Sequence, residues 1–192
     1  KSRGNVVNPL KMVDLYSADA LRFALVFGTA AGSDLALSED KIRGMRNFTN
    51  KLWNIGRFIR MNMDNFVQNG VKITPFESSA NRTKLSPQDK KILTQLDMLN
   101  RVVTKAIEEY QLAKAGERLY EFIWHTFADK FIERSKEQLI LNDNQKISVL
   151  IYVYTTCLKL LNPFMPFITE EIVSQISIDE SSPLITSAWP TI

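Results

Sequence analysis

Cysteine and histidine are almost missing from this chain of 192 residues, with Cys157 and His125 the single instances of each. One cysteine excludes an internal disulfide framework and a cysteine-rich zinc site, and it predicts a reducing compartment. One histidine, beside Trp124 and near Phe127, is expected to be a packing or edge residue without chemistry. Excess charge is missing too: 24 Lys and Arg stand against 21 Asp and Glu, a net +3. That excludes a nucleic-acid argument from net charge, so a local basic face would have to carry one. No apolar run reaches the ~20 residues that span a bilayer. The most apolar stretch, "ISVLIYVYTTCLKLL", is interrupted by Ser148, Thr155, Thr156 and Lys159 and stops at Asn162-Pro163, so it reads as a buried helix. Lys1 to Asn5 is polar and no apolar segment follows, so no signal peptide and a cytoplasmic location are expected. Paired carboxylates, a metal-ligating cluster, a Gly-rich phosphate loop and a nucleophile–base pair are not found. No metal site is expected, and "TEE" at Thr169 to Glu171 reads as the exposed face of a short helix.

What is present is a globular composition, with 45% apolar and 23% charged residues. Helix signals dominate. Asn8-Pro9 is an N-cap followed by proline at the first helical position, and that helix should run to about Tyr16. Ser17 can cap "ADALRFALVFG". "DLAL" (34–37) is a candidate short strand. Ser38 caps a long helix to about Phe66, with Glu39 and Asp40 favoured in its first turn by the helix dipole. Gly56 lies near its apolar side, which suggests a close helix crossing. The polar stretch 67–85 reads as a surface connection. Ser86 restarts a helix with a capping-box pattern, and Leu93, Leu96, Leu99, Val103, Ala106, Ile107 and Tyr110 follow at helical spacing. Further helices are expected from about Ala113 to Leu139, with Leu119, Phe122, Ile123, Thr126 and Phe127 inward, then from Lys146 to Leu161, and over "MPFITEEIVSQI". The fold class is therefore all-α: an antiparallel helical bundle with a small N-terminal helical unit and at most one short strand.

The long helix holds the most informative pattern. On a wheel, Met45, Phe48, Leu52, Ile55, Ile59 and Met63 share one side, and Arg43, Arg46, Asn47, Asn50, Lys51, Asn54 and Arg57 share the other. Phe58 falls with the polar group. One reading is a solvated surface against which Phe58 packs a neighbour. The other is single-stranded RNA: cations for phosphates, asparagine amides for base edges, and an aromatic as a stacking platform. In that second reading the Phe58 ring should stand largely in solvent in the free protein.

"KSRGNVVNPL", "SADALRFAL", "GSDLALSE", "RNFTNKLWNIGRF" and "LLNPFMPFITEEI" follow one another in the order found in class I aminoacyl-tRNA synthetases of the large aliphatic-amino-acid subgroup. The chain resembles that family over nearly its whole length, least over 67–145, and "RNFTNKLWN" resembles the valyl-tRNA synthetases in particular. The resemblance implies three regions. Residues 1–37 would be the end of the catalytic loop and the stem-contact region, 38–178 the anticodon-binding bundle, and 179–192 an irregular tail. Lys1 and Ser2 match the last two positions of the family's Lys-Met-Ser-Lys-Ser loop, whose lysine stabilises the pyrophosphate leaving group. The nucleotide-binding fold and the editing domain do not occur in this stretch. It is therefore expected to be an inactive fragment without a cofactor of its own, ATP and Mg serving the full-length valine–tRNA ligase. By the same resemblance Lys51 and Phe58 match a lysine and an aromatic that hold anticodon bases, and Arg43, Arg46, Asn47, Asn50, Asn54 and Arg57 share their face. The implied partners are the anticodon loop of tRNA(Val) and the catalytic and editing domains of the same polypeptide, in a monomer without membrane contact. The matching module of an isoleucyl enzyme and a helical protein-interaction scaffold are the alternatives.

Overall fold

The computed structural model describes residues 7–29, 32, 37–76, 85–177 and 183–191. Helix α1 spans Pro9–Tyr16, α2 Ala18–Val26, α3 Glu39–Gln68 and α4 Pro87–Glu108. Helix α5 (Leu112–Glu121) runs through a π-helical stretch (Phe122–Ile132) into α6 (Glu133–Ile140). Helices α7 (Asn144–Leu161) and α8 (Pro166–Ile176) complete the bundle, and a 3₁₀ turn, Leu184–Thr186, follows. No strand occurs among the described residues. The "DLAL" segment lies almost wholly outside them, as do Lys1 and Ser2. The architecture is the expected all-α antiparallel bundle.

The helix starts follow their local sequence. The Asn8 side chain accepts from the Leu10 and Lys11 amides, Ser38 from Lys41, Ser86 from Asp89 and Asp143 from Lys146. Each cap satisfies an amide that would otherwise lack a partner in the first turn. Helix α8 has no cap of its own. Asp19 of α2 supplies one instead, accepting from Ile168 N at 2.6 Å and Phe167 N at 3.4 Å. Burial pushes the Asp19 carboxyl up, and these two amide bonds oppose that shift.

Helix α3 packs against α1, α2, α7, α8 and the π-helical stretch. Met45, Phe48, Leu52, Ile55, Ile59 and Met63 are all buried, as their spacing predicts. The core is one continuous cluster that also takes in Met12 and Phe23 from α1 and α2. Cys157 sits inside it, where burial pushes the thiol far above its ordinary value and leaves it inert. A buried ion pair joins α4 to α7: Lys146 and Asp89 are in direct contact, 1% and 3% exposed at their side chains.

Three sequence expectations change. Tyr110 is 83% exposed with φ +59, because the chain turns out of α4 there. The expected single α-helix over 113–139 carries the π-helical stretch in its middle. "TEE" is not an exposed face: Thr169 is buried, and Glu170 accepts from Leu184 N and Ile185 N, both at 2.9 Å. Glu170 thereby ties the tail to α8, while Trp189 Nε1 donates to Thr104 Oγ1 at 2.8 Å and holds the tail on α4.

Gly56 marks the crossing of α3 and α8. A Cβ there would stand 2.8 Å from Cγ2 of Ile172, itself buried and β-branched. Gly56→Ala should gain about 1 kcal/mol of helix propensity but lose about 1–3 kcal/mol to overpacking. The overpacking should win, because a β-branched side chain has one stiff rotamer in a helix. A urea melt should show a net loss of roughly 1 kcal/mol.

Candidate nucleic-acid interface

The polar side of α3 faces away from the core, and its side chains divide into those held by the protein and those left free. Arg43 is exposed and paired with Asp40 one turn earlier. Arg46 is half-buried: its Nε donates to Asn50 Oδ1 at 3.4 Å and its guanidinium to the Leu15 carbonyl at 3.3 Å. Leu15 lies in the last turn of α1, where a cation is favoured by the helix dipole. Arg46 therefore braces α1 against α3. Asn47, Asn54 and Arg57 are exposed and have no side-chain partner among the described residues.

Lys51 is the most constrained member. Its Nζ lies 2.9 Å from Asp129 Oδ1 and 5.3 Å from the centre of the Trp124 ring, inside the range of a cation–π contact. Both partners come from the π-helical stretch. Widened turns of this kind occur often at functional sites. The Lys51 hydrogen bond holds the Asp129 carboxyl below its ordinary value; partial burial opposes this, and the Lys51 charge and His125 add to it. His125 Nδ1 lies 3.5 Å from Asp129 Oδ2, so the lone histidine borders this site as an exposed edge residue.

Behind Trp124 stands an aromatic wall. Phe48 of α3 meets Tyr120 at 4.8 Å and Trp124 at 6.2 Å between ring centres, and Phe23 of α2 at 5.5 Å. Burial pushes the Tyr120 hydroxyl up, and the Asp129 charge adds to that, so the phenol stays neutral. The wall seats Trp124, and Trp124 seats Lys51.

Phe58 differs from expectation. Its ring is half-buried and packs against the core, so it does not stand free in solvent. Its position on α3 is close to the boundary between the two faces, and a large ring there reaches the core with one part and leaves another accessible. Asp129, Trp124 and His125 could not be assigned from sequence: they lie 73 to 78 positions from Lys51 in the chain, and only packing brings them to it.

The sequence profile of the family described as anticodon-binding domain of tRNA ligase matches residues 89–192. The chain is 40% identical over 194 residues to a valine–tRNA ligase from Clostridium tetani, covering 99% of this chain and 21% of that protein. It is 40% identical over 179 residues to the one from Dehalococcoides mccartyi, covering 92% and 19%. The chain thus spans about a fifth of the length of the curated relatives it matches. Among solved structures it resembles the leucyl enzyme in the ternary complex Agrobacterium radiobacter K84 agnB2 LeuRS–tRNA–LeuAMS, with a TM-score of 0.72. That likeness covers 100% of this chain and 22% of the other at 22% identity, and it speaks for the fold. No helix among the described residues is long and apolar enough to cross a membrane.

Proposed function

Because the chain belongs to the anticodon-binding domain family of tRNA ligases, we propose that it is the anticodon-binding portion of a valine–tRNA ligase and grips the anticodon loop of tRNA(Val) with the polar face of α3. The observation that carries the reading is the seating of Lys51. A lysine held by Trp124 and Asp129 spends little conformational freedom on binding, and a phosphate that reaches it displaces the half-exposed Asp129 carboxylate as its counter-charge. Beside it, Asn47 and Asn54 keep amide donors and acceptors unspent, as base-edge recognition requires. Arg57 offers a second cation, and the accessible part of Phe58 a surface for one stacked base. In this reading ATP and Mg act in the catalytic part of the full-length enzyme, to which Lys1 and Ser2 belong, and the anticodon-binding portion carries no chemistry itself.

The test is a calorimetric titration with tRNA(Val) and with a copy whose anticodon is exchanged. Tighter binding of the unaltered tRNA supports the reading. Equal binding of both removes anticodon recognition from it.

Two substitutions probe the face. Lys51→Ala should weaken tRNA binding and make its salt dependence shallower by about one unit of log–log slope, since one fewer counterion is released. An unchanged slope would assign Lys51 to the fold alone. Phe58→Ala should weaken anticodon-loop binding by roughly 1–3 kcal/mol. Because the ring is half in the core, it should also lose about 1–2 kcal/mol of stability, less than the 3–5 kcal/mol of a fully buried phenylalanine. Phe58→Trp should keep most of the affinity through its π-face. Thermal melts and titrations on the same samples separate the two effects.

A further inference from the structure

We propose that a second cationic site, the pocket between α4 and the π-helical stretch lined by Lys91, Lys130 and Arg134, holds a backbone phosphate of the same bound RNA. The proposal rests on the RNA reading of α3. The pocket has a volume of about 130 Å³ and a floor formed by Ile92 and Phe131, both buried. That volume is several times the ~10–15 Å³ that a single water needs, and so is room enough for a phosphate group.

The charges around it are unusual for this surface. Elsewhere among the described residues, Arg43, Arg60, Lys105, Arg118 and Lys136 sit beside acids three or four residues away, and exposed cations without an acid, such as Arg57, Lys72 and Arg101, line no common pocket with two others. Lys91, Lys130 and Arg134 have no such partner among the described residues, and no acidic side chain lines the pocket. Lys130 and Arg134 are one turn apart on the same helical run, a like-charged spacing that disfavours the helix. Lys91 faces them across the pocket. Three cations converging without an acid are compensated only when an anion enters. Gln95 and Thr126 complete the lining with groups that can donate to phosphate oxygens. The guanidinium of Arg134 adds a planar fork suited to two of those oxygens.

Placement connects the pocket to α3. Asp129 and Lys130 are neighbours in the π-helical stretch. Asp129 turns to Lys51 on one side, and Lys130 lines the α4 pocket on the other. The two sites are therefore separated by about one helix diameter, ~10 Å. A strand docked on α3 could continue over this ridge and place a later phosphate in the pocket. Such a contact would position the RNA without reading its bases.

The experiment compares the 192-residue chain with its Lys91→Ala/Lys130→Ala/Arg134→Ala variant. All three side chains belong to exposed residues, and a thermal melt checks that folding is retained. Binding of a fluorescent anticodon stem-loop from tRNA(Val) is followed by anisotropy across a salt series, and repeated with an anticodon-exchanged stem-loop. The expected result is a slope shallower by about 0.7–0.9 in log–log form, the share of one neutralised phosphate, with the same fold-loss of affinity for both RNAs. A Lys91→Arg/Lys130→Arg variant should bind like the unaltered chain. Equal affinity and slope with and without the three cations, while the unaltered chain binds RNA, overturns the pocket and leaves the α3 reading standing. A chain that binds neither RNA overturns both. In a third arm, inorganic phosphate is titrated alone; a site that takes free phosphate but leaves RNA binding unmoved by the triple substitution would overturn the RNA assignment.

Discussion

Lys146→Met is expected to destabilise the protein by about 3–5 kcal/mol, the cost of leaving a buried charge without its partner. Lys146 and Asp89 are almost fully enclosed and touch each other, and the Lys146 ammonium also lies 5.1 Å from the centre of the Phe131 ring. Removing the cation leaves the Asp89 carboxylate with the Ser86 hydroxyl at 2.7 Å as its remaining side-chain hydrogen bond. That bond does not neutralise a charge. Lys146→Met/Asp89→Asn should be less destabilised than Lys146→Met, because it removes both charges while the new amide still reaches Ser86. A double-mutant cycle on urea midpoints reads the coupling directly. A double variant as unstable as the sum of its two singles would show that the pair contributes nothing as a pair. The result bears on the fold more than on RNA, since the pair fastens α4 to α7 beneath the surface that carries Lys91.

Phe48→Ala should cost about 3–5 kcal/mol, and here the fold and the site are linked. Phe48 is fully buried and stands between Phe23, Tyr120 and Trp124. Its loss opens a cavity directly behind Trp124. That ring would then have room to relax inward, and Lys51 would lose its seat. Binding of the tRNA(Val) anticodon loop should accordingly fall even after correction for the folded fraction. Phe48→Leu refills most of the volume and should cost less in both measurements, though the ring contacts are lost. If the folded fraction of Phe48→Ala bound RNA normally, the aromatic wall would have no part in positioning Lys51. Denaturant melts and anisotropy titrations on the same preparation supply both numbers.

Most of the architecture was legible in the chain because its determinants are local. Asn8-Pro9, Ser38 and Ser86 start helices through hydrogen bonds to amides two or three residues away. The inward side of α3 follows from one period of 3.6 residues, so Met45 through Met63 could be assigned to the core by counting. Gly56 announced a close crossing, though only packing identifies Ile172 as the residue across it. The polar face of α3 was legible on the same wheel, together with the anomaly of Phe58.

What a wheel cannot show is which of those polar groups the protein itself uses. Arg46 and Lys51 look alike on it. In the folded chain one braces Leu15 of α1, and the other lies against Asp129 and Trp124 from a helical run far along the sequence. The half-burial of Phe58, the pairing of Lys146 with Asp89 and the convergence of Lys130 and Arg134 on Lys91 are of the same kind. Caps and apolar periods act between residues a few positions apart, so the sequence by itself determined the helices and their buried sides. Desolvation and ion pairing act between surfaces that meet only after the helices pack, so the tertiary structure alone decided which cations are paired within the protein and which stand unpaired.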